Sequence, residues 1–216
     1  MKQIKAIIFD MDGLLLDTEP IYTLVTQQIL DSYGLKFEWE LKSRMMGQDV
    51  TIALQMLIDH YGLDLTPKSF DEAQRPLFEK AFLESKPMPF AMELTEKLKS
   101  LNIPMAVATS SSLKYFQIKT SNHGLWFECF KSIVTGDEVK ACKPAPDLFL
   151  EAAKRLNTAP EDCLVFEDAI TGVAAAKAAG MSVIAVPDEK MDLNKYQEAN
   201  LILENLGQFN LGDWGL

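Results

Sequence analysis

The chain has 216 residues, 48% hydrophobic and 24% charged, a composition typical of a globular protein large enough for one domain or a core with an insert. Its 21 Lys and Arg against 31 Asp and Glu give a net charge of -10, which argues against a nucleic-acid surface, since that needs basic patches. A small phosphorylated partner stays compatible with that charge, because a local cation can reverse the field.

In chain order, the apolar run Ala6-Ile7-Ile8-Phe9 reads as a buried strand. It runs into Asp10-Met11-Asp12-Gly13, which sets two carboxylates at the rim of a sheet. One carboxylate there can act as a nucleophile while the other handles protons, and both suit a hard cation such as Mg²⁺. The same residues are also ordinary turn chemistry. From about Thr18 to about Ser85 no strand is expected. Apolar positions such as Ile21, Leu24 and Val25, then Leu54, Leu57 and Ile58, then Leu77, Phe78 and Phe82 follow helical spacing, and predict a helical insert. After Pro87-Met88-Pro89 the pattern alternates. Strands are predicted at 104–108, 132–134, 163–166, 182–186 and 201–203, with helical patterns between most of them. Such alternation predicts an α/β fold with a doubly wound, Rossmann-like parallel sheet, helices on both sides, and the helical segment inserted after the first strand.

Ligands of open parallel sheets bind beyond the carboxyl ends of the strands. The second strand ends in Thr109-Ser110-Ser111-Ser112, hydroxyls and backbone N–H groups that can cradle a phosphate. The loop Lys143-Pro144-Ala145-Pro146-Asp147 presents a lysine stiffened by prolines, and the strand at 163–166 runs into Glu167-Asp168. Each piece alone has a plain structural use: helix capping, a solvated lysine, an acidic turn. Together they place carboxylates from two strand ends close to one another. Two such charges about 4 Å apart repel by roughly 4 kcal/mol at an effective dielectric near 20. A divalent metal or a shifted pKa relieves that.

The three cysteines, Cys129, Cys142 and Cys163, lack metal-type spacing and read as free thiols of a reducing cytoplasm. His60 and His123 have no nearby Cys or His partner, which disfavours a zinc site or a Ser-His-Asp triad. The start, Met1-Lys2-Gln3-Ile4-Lys5, shows no leader-like apolar stretch, and no run of about 20 apolar residues predicts a membrane helix.

These motifs resemble those of the haloacid dehalogenase-like superfamily of phosphatases and phosphomutases. The matching segments are Phe9-Asp10-Met11-Asp12-Gly13, Ala108-Thr109-Ser110, Lys143-Pro144-Ala145-Pro146-Asp147 and Phe166-Glu167-Asp168, in the family's order and over essentially the whole chain. The resemblance implies core segments at 1–16 and 87–216 and a helical cap at 17–86. It also implies a Mg²⁺-dependent phosphatase of a small phosphate monoester, a nucleotide such as pseudouridine 5′-phosphate or a sugar phosphate; a monomer is the default expectation, in the cytoplasm that the free thiols suggest. Asp10 would form an aspartyl-phosphate. Asp12 would protonate the leaving oxygen and then activate water, which requires surroundings that raise its pKa from a reference near 3.9. Thr109, Ser110 and Lys143 would hold the phosphoryl group. Asp10, the Asp12 carbonyl and Asp168 would hold the metal, with Glu167 supporting through water.

Asp12–Glu19 and Lys119-Thr120-Ser121-Asn122-His123 are most similar to the pseudouridine-5′-phosphatase-like group, the second segment reading as helix capping or packing. The β-phosphoglucomutase branch is the alternative. It typically carries a histidine and a phosphate-gripping arginine where this chain has Tyr22 and Val50. A non-catalytic phosphometabolite-binding protein is the third reading. One or two of the cap residues Glu19, Tyr22, Arg44 and Gln48 are expected to reach the leaving group. Phe90 stands where relatives usually have glycine, which predicts a different hinge back from the cap and a Phe90 ring that reaches the substrate space.

Overall fold

The structure is a computed structural model that describes residues 4–46 and 48–216; the Met1–Gln3 start discussed above lies outside them. Six strands form one parallel sheet: β1 (Ala6–Phe9), β2 (Met105–Ala108), β3 (Ser132–Val134), β4 (Cys163–Glu167), β5 (Ser182–Ala185) and β6 (Leu201–Ile202). Their order is β3-β2-β1-β4-β5-β6, and every pairing is parallel. The chain builds outward from β1 to β3 on one side, then returns to place β4 on the other. Strand order therefore reverses at β1, the position where parallel sheets open a crevice for ligands.

The continuous apolar strands follow from burial on both faces. Ile7 and Phe9 of β1 point to one side with Met105, Val107, Leu164 and Phe166. There they meet helix α5 (Ala91–Ser100), α7 (Gly124–Phe127) and the C-terminal Leu206, Phe209 and Leu211. Ala6 and Ile8 point to the other side, against Leu148, Phe149 and Ala152 of α8 (Asp147–Arg155) and Val173, Ala175 and Ala176 of α9 (Ile170–Ala178). The small residues of α9 let it lie close on the sheet. Strand β2 starts one residue later than expected, because Pro104 has no N–H to give to the ladder. Its carbonyl still accepts from Ile7 N at 2.9 Å.

Between β1 and α5 lie four helices: α1 (Glu19–Asp31), α2 (Trp39–Met45), α3 (Val50–Tyr61) and α4 (Pro67–Ala81). Leu30, Leu41, Leu54, Leu57, Ile58 and Phe70 form a core of their own there. Thr66 and Ser69 close a reciprocal cap at the start of α4, and Gly62 ends α3 in the left-handed conformation. A second cluster joins this bundle to the sheet domain. Val25, Phe78 and Phe82 pack with Tyr22 and with Tyr115 and Ile118 of α6 (Leu113–Thr120). The two connections into and out of the bundle run side by side. Asp17 N donates to Lys86 O and Met88 N to Leu15 O, both at 2.8 Å, around an antiparallel bridge from Leu16 to Pro87.

Candidate active site

Asp10 follows β1 directly and keeps the ladder going, its N–H donating to Phe166 O at 3.0 Å. The chain then turns tightly, with Leu15 and Leu16 N–H groups both returning to the Met11 carbonyl at 3.0 and 2.9 Å. Gly13 takes φ +78°, and a Cβ there would collide with the Asp168 carboxylate. Glycine is thus what lets the turn after β1 come up against the end of β4.

Two groups of charges result. In the first, Lys143 reaches in from the loop before α8 and donates both to Asp10 Oδ1 and to Glu167 Oε1, the latter at 2.6 Å. Its ammonium lies 4.9 Å from the centre of the Phe149 ring. Glu167 also accepts from Ala169 N at 2.9 Å. Gly172 of α9 backs directly onto the Glu167 carboxylate, where a Cβ would overlap it. Tyr196 OH donates to the Asp168 carbonyl at 2.8 Å and fixes the end of β4. Asp10, Glu167 and Asp168 are all buried and each offers an oxygen within 4.8 Å of the others. Burial, opposed by Lys143 and reinforced by Glu167 and Asp12, pushes the Asp10 pKa up to about 7. Burial, with Glu167 and Asp10, likewise raises Asp168. The Lys143 ammonium is held charged because Asp10 and Glu167 outweigh its burial. Fully ionised, these three carboxylates would outnumber the one ammonium by two charges, in a pocket of hard oxygens. That donor set fits a divalent cation such as Mg²⁺.

The second group surrounds Asp12. Its Oδ1 accepts from Lys119 Nζ at 2.6 Å and from Thr18 Oγ1 at 2.7 Å, and its Oδ2 from Ser111 Oγ at 2.9 Å. Thr109 Oγ1 is 3.4 Å from Oδ2. Burial pushes the Asp12 pKa up, but Lys119 and these hydroxyls outweigh it, and the net direction is down. This corrects the expectation that its surroundings raise it: the sequence placed no cation beside Asp12, and the fold supplies a buried one.

The segment 119–123 is corrected in part. Asn122 Nδ2 donates to Leu83 O at 2.7 Å and the His123 ring lies 2.7 Å from Ser85 O, so these residues do brace packing, against the return from the bundle. Lys119 does something else, with Nζ inside the site. Its signal was a lone lysine on the apolar face of α6, next to Ile118 and four residues after Tyr115. Ser111 and Thr18 were also missed as Asp12 partners.

Thr109 is buried and its Oγ1 accepts from Ser111 N at 3.0 Å. Ser110 is exposed, its carbonyl against Gly136. The first turn of α6 is already capped, Leu113 N by Asp137 at 3.0 Å and Tyr115 N by Ser112 Oγ at 3.4 Å. The turn at 109–111, rather than the helix itself, therefore faces the carboxylates. Of the cap candidates, Tyr22 OH accepts from Lys119 Nζ at 2.9 Å. Glu19 pairs with Lys42 at 3.1 Å and, with Gly13, Asp17, Asp168 and Asp188, lines an open cleft. Arg44 lines a different, shallow groove with Leu41, Met56, Asp59 and His60. Gln48 is exposed, with its N–H bonded to Met45 O at 3.0 Å. Phe90 precedes α5 at φ +65° with its ring against Gly207, so it wedges the C-terminal turn rather than entering the site.

The family model of haloacid dehalogenase-like hydrolases matches residues 7–186. The chain is 41% identical over 217 residues to (DL)-glycerol-3-phosphatase 2 of Arabidopsis thaliana, covering 97% of this chain and 90% of that one. It is 38% identical over 221 residues to a protein of Drosophila melanogaster named probable pseudouridine-5′-phosphatase, covering 100% of this chain and 96% of that one. A crystal structure of CbbY from Rhodobacter sphaeroides in complex with xylulose-(1,5)bisphosphate superposes with a TM-score of 0.84 at 24% identity, over 99% of this chain and all of that one, a likeness of fold.

Proposed function

The chain belongs to the haloacid dehalogenase-like hydrolases, and from that premise we propose how this site works as a phosphatase of small phosphate monoesters. The supporting observation is convergence: Asp10, Asp12, Thr109, Lys143, Glu167 and Asp168 come from four distant segments and meet at the ends of β1, β2 and β4.

In this reading Asp10 attacks phosphorus, forming an aspartyl-phosphate as the ester oxygen leaves. Asp12, whose own partners hold its pKa down, carries a proton once the negative charge of the bound phosphate raises that pKa; it gives this proton to the ester oxygen and then takes one from the water that frees phosphate. Thr109 and Ser110 hold the phosphoryl oxygens, and Lys143 offsets their charge while orienting Asp10. Asp10, Asp168 and the Asp12 carbonyl would hold Mg²⁺, with Glu167 assisting through water; when bound, the ion adds positive charge to the phosphoryl oxygens. Asp10 attacks only as a carboxylate; burial, reinforced by Glu167 and Asp12, raises its pKa, and a cation in this pocket would bring it down again.

Segment 17–86 acts as a cap between core segments 1–16 and 87–216, and closing it excludes water. Glu19 and Tyr22 carry its contribution at the site. The substrate is a small polyol, sugar or nucleoside monophosphate, in keeping with relatives named as phosphatases of glycerol 3-phosphate, pseudouridine 5′-phosphate and fructose 1-phosphate. No nucleic-acid partner is proposed for a chain of net charge -10, and the enzyme acts as a monomer. The three free cysteines suit a reducing compartment such as the cytoplasm, and among the described residues no helix is long and apolar enough to cross a membrane. A phosphomutase would need a second phosphate anchor in the cap, and Arg44 sits in its own groove instead.

Phosphate release from a panel of glycerol, sugar and nucleoside phosphates, with Mg²⁺ and with EDTA, tests the reading. Mg²⁺-dependent release is expected. Isomerised sugar phosphate without free phosphate would favour the mutase.

A further inference from the structure

Lys119 is the least expected charge in the molecule. Its side chain is fully buried, with the ammonium over the rings of Tyr22 and Phe82, a place that an aliphatic residue would fill at no electrostatic cost. An ammonium has three N–H donors, and all three are used: on Asp12 Oδ1 at 2.6 Å, Ser111 Oγ at 2.8 Å and Tyr22 OH at 2.9 Å. Those acceptors belong to the turn after β1, the turn after β2 and helix α1 of the bundle. The other carboxylate oxygen, Asp12 Oδ2, accepts from Ser111 Oγ at 2.9 Å and lies 3.4 Å from Thr109 Oγ1, on the side of the phosphoryl pocket, with its second lone pair outside the Ser111 bond.

Resting on the phosphatase reading above, we propose that Lys119 is a positioning residue for the acid/base carboxylate, and that Tyr22 ties its placement to the cap. By clamping Oδ1, the ammonium leaves Oδ2 as the oxygen presented to the leaving group and to water. Lys143, the cation of the phosphoryl pocket, bonds to Asp10 and Glu167 and stands apart from this clamp, which Thr109 meets only through Ser111 and Asp12. Losing Lys119 therefore impairs proton transfer and spares phosphate binding.

The test compares a leaving group that needs a proton with one that does not. Wild type, Lys119→Met, Tyr22→Phe and Asp10→Asn are assayed with glycerol 3-phosphate and with p-nitrophenyl phosphate, by steady state and by stopped flow, with thermal melts alongside. For Lys119→Met, kcat on glycerol 3-phosphate is expected to fall about 10- to 100-fold, within the range that general acid–base catalysis supplies, with KM nearly unchanged. With p-nitrophenyl phosphate the first turnover stays fast and gives a burst of one nitrophenol per site, followed by slow turnover, because only release of phosphate still needs Asp12. Tyr22→Phe shows the same pattern at smaller size, and remains informative if Lys119→Met does not fold. The proposal is overturned if both substrates lose rate equally with a shrunken burst, which marks a structural lysine, or if both variants keep wild-type kcat. A wild type that releases phosphate from neither compound, like Asp10→Asn, would instead sink the phosphatase reading itself.

Discussion

Asp10 and Asp12 are two residues apart, the first buried and the second partly so, and each touches a buried lysine, yet their acidities move in opposite directions. Asp10 shares Lys143 with Glu167 and has Asp168 beside it, so negative charge is in excess. Asp12 has Lys119, Thr18 and Ser111 to itself among the carboxylates. The lesson is that a neighbouring cation does not set a carboxylate's charge; the ratio of carboxylates to cations in the same pocket does. One pocket is short of positive charge and suited to a metal and a phosphate. The other is balanced and suited to moving a proton.

The most severe way to break this pairing is Asp10→Asn, which keeps shape and removes the nucleophile. Turnover is expected to drop by at least about 10⁴-fold, the scale seen when a catalytic nucleophile is lost, with the fold intact by circular dichroism. A variant retaining even a tenth of wild-type rate would rule out Asp10 as the nucleophile.

Lys143→Met leaves Asp10 and Glu167 without their shared cation. Breaking a buried pair from one side costs about 3–5 kcal/mol. Chemical denaturation should show that loss in EDTA and a smaller one with Mg²⁺ present; equal losses in both conditions would count against a metal in this pocket.

Metal itself should sharpen the contrast. Adding Mg²⁺ to metal-free protein should raise the melting temperature, by the equivalent of about 2.7 kcal/mol at a hundred times the dissociation constant. Asp168→Asn should abolish most of that rise, and an unchanged rise would place the ion elsewhere.

Subtler is Gly172→Ala. Its methyl group has to displace the Glu167 carboxylate, so stability should fall by about 1–3 kcal/mol as overpacking does, and the Mg²⁺ requirement should rise. Unaltered Mg²⁺ dependence would mean Glu167 is merely structural.

The smallest effect is a difference in pH slope without metal. Asp10 binds its proton more tightly folded than unfolded, so its contribution to stability diminishes as pH rises from about 4 towards 7. Asp12, with a depressed pKa, contributes stability that is complete above the unfolded value and is lost as pH falls through the folded one. Denaturation of the Asn variants across pH 3–8 should alter the two slopes with opposite signs.

Much of this was legible in the sequence, for identifiable reasons. All six strands were, because burial on both faces leaves unbroken apolar runs such as Ala6–Phe9 and Cys163–Phe166. Asp10 and Glu167 were singled out because parallel strands deliver their last residues to one rim, and Lys143 because prolines stiffen the loop that presents it. Lys119 was not, because a lysine on a short helix reads as surface until the packing of Phe82 and Tyr22 over it is known. The acidity of Asp12 was misjudged for the same reason: a pKa depends on partners about a hundred residues away. Arg44 and Gln48 were chosen by their place in the bundle, and helical spacing alone does not say which face looks at the carboxylates.

The paired straps at 15–17 and 86–88 have a mechanical consequence. Two separate tethers would let the helical bundle slide, tilt and swivel independently. Zipped together by hydrogen bonds at 2.8 Å, they behave as one leaf spring, stiff in its plane and compliant across it. On the cap reading proposed above, the easiest motion left to the bundle is a swing about this strip, and that swing carries Tyr22 towards or away from Lys119.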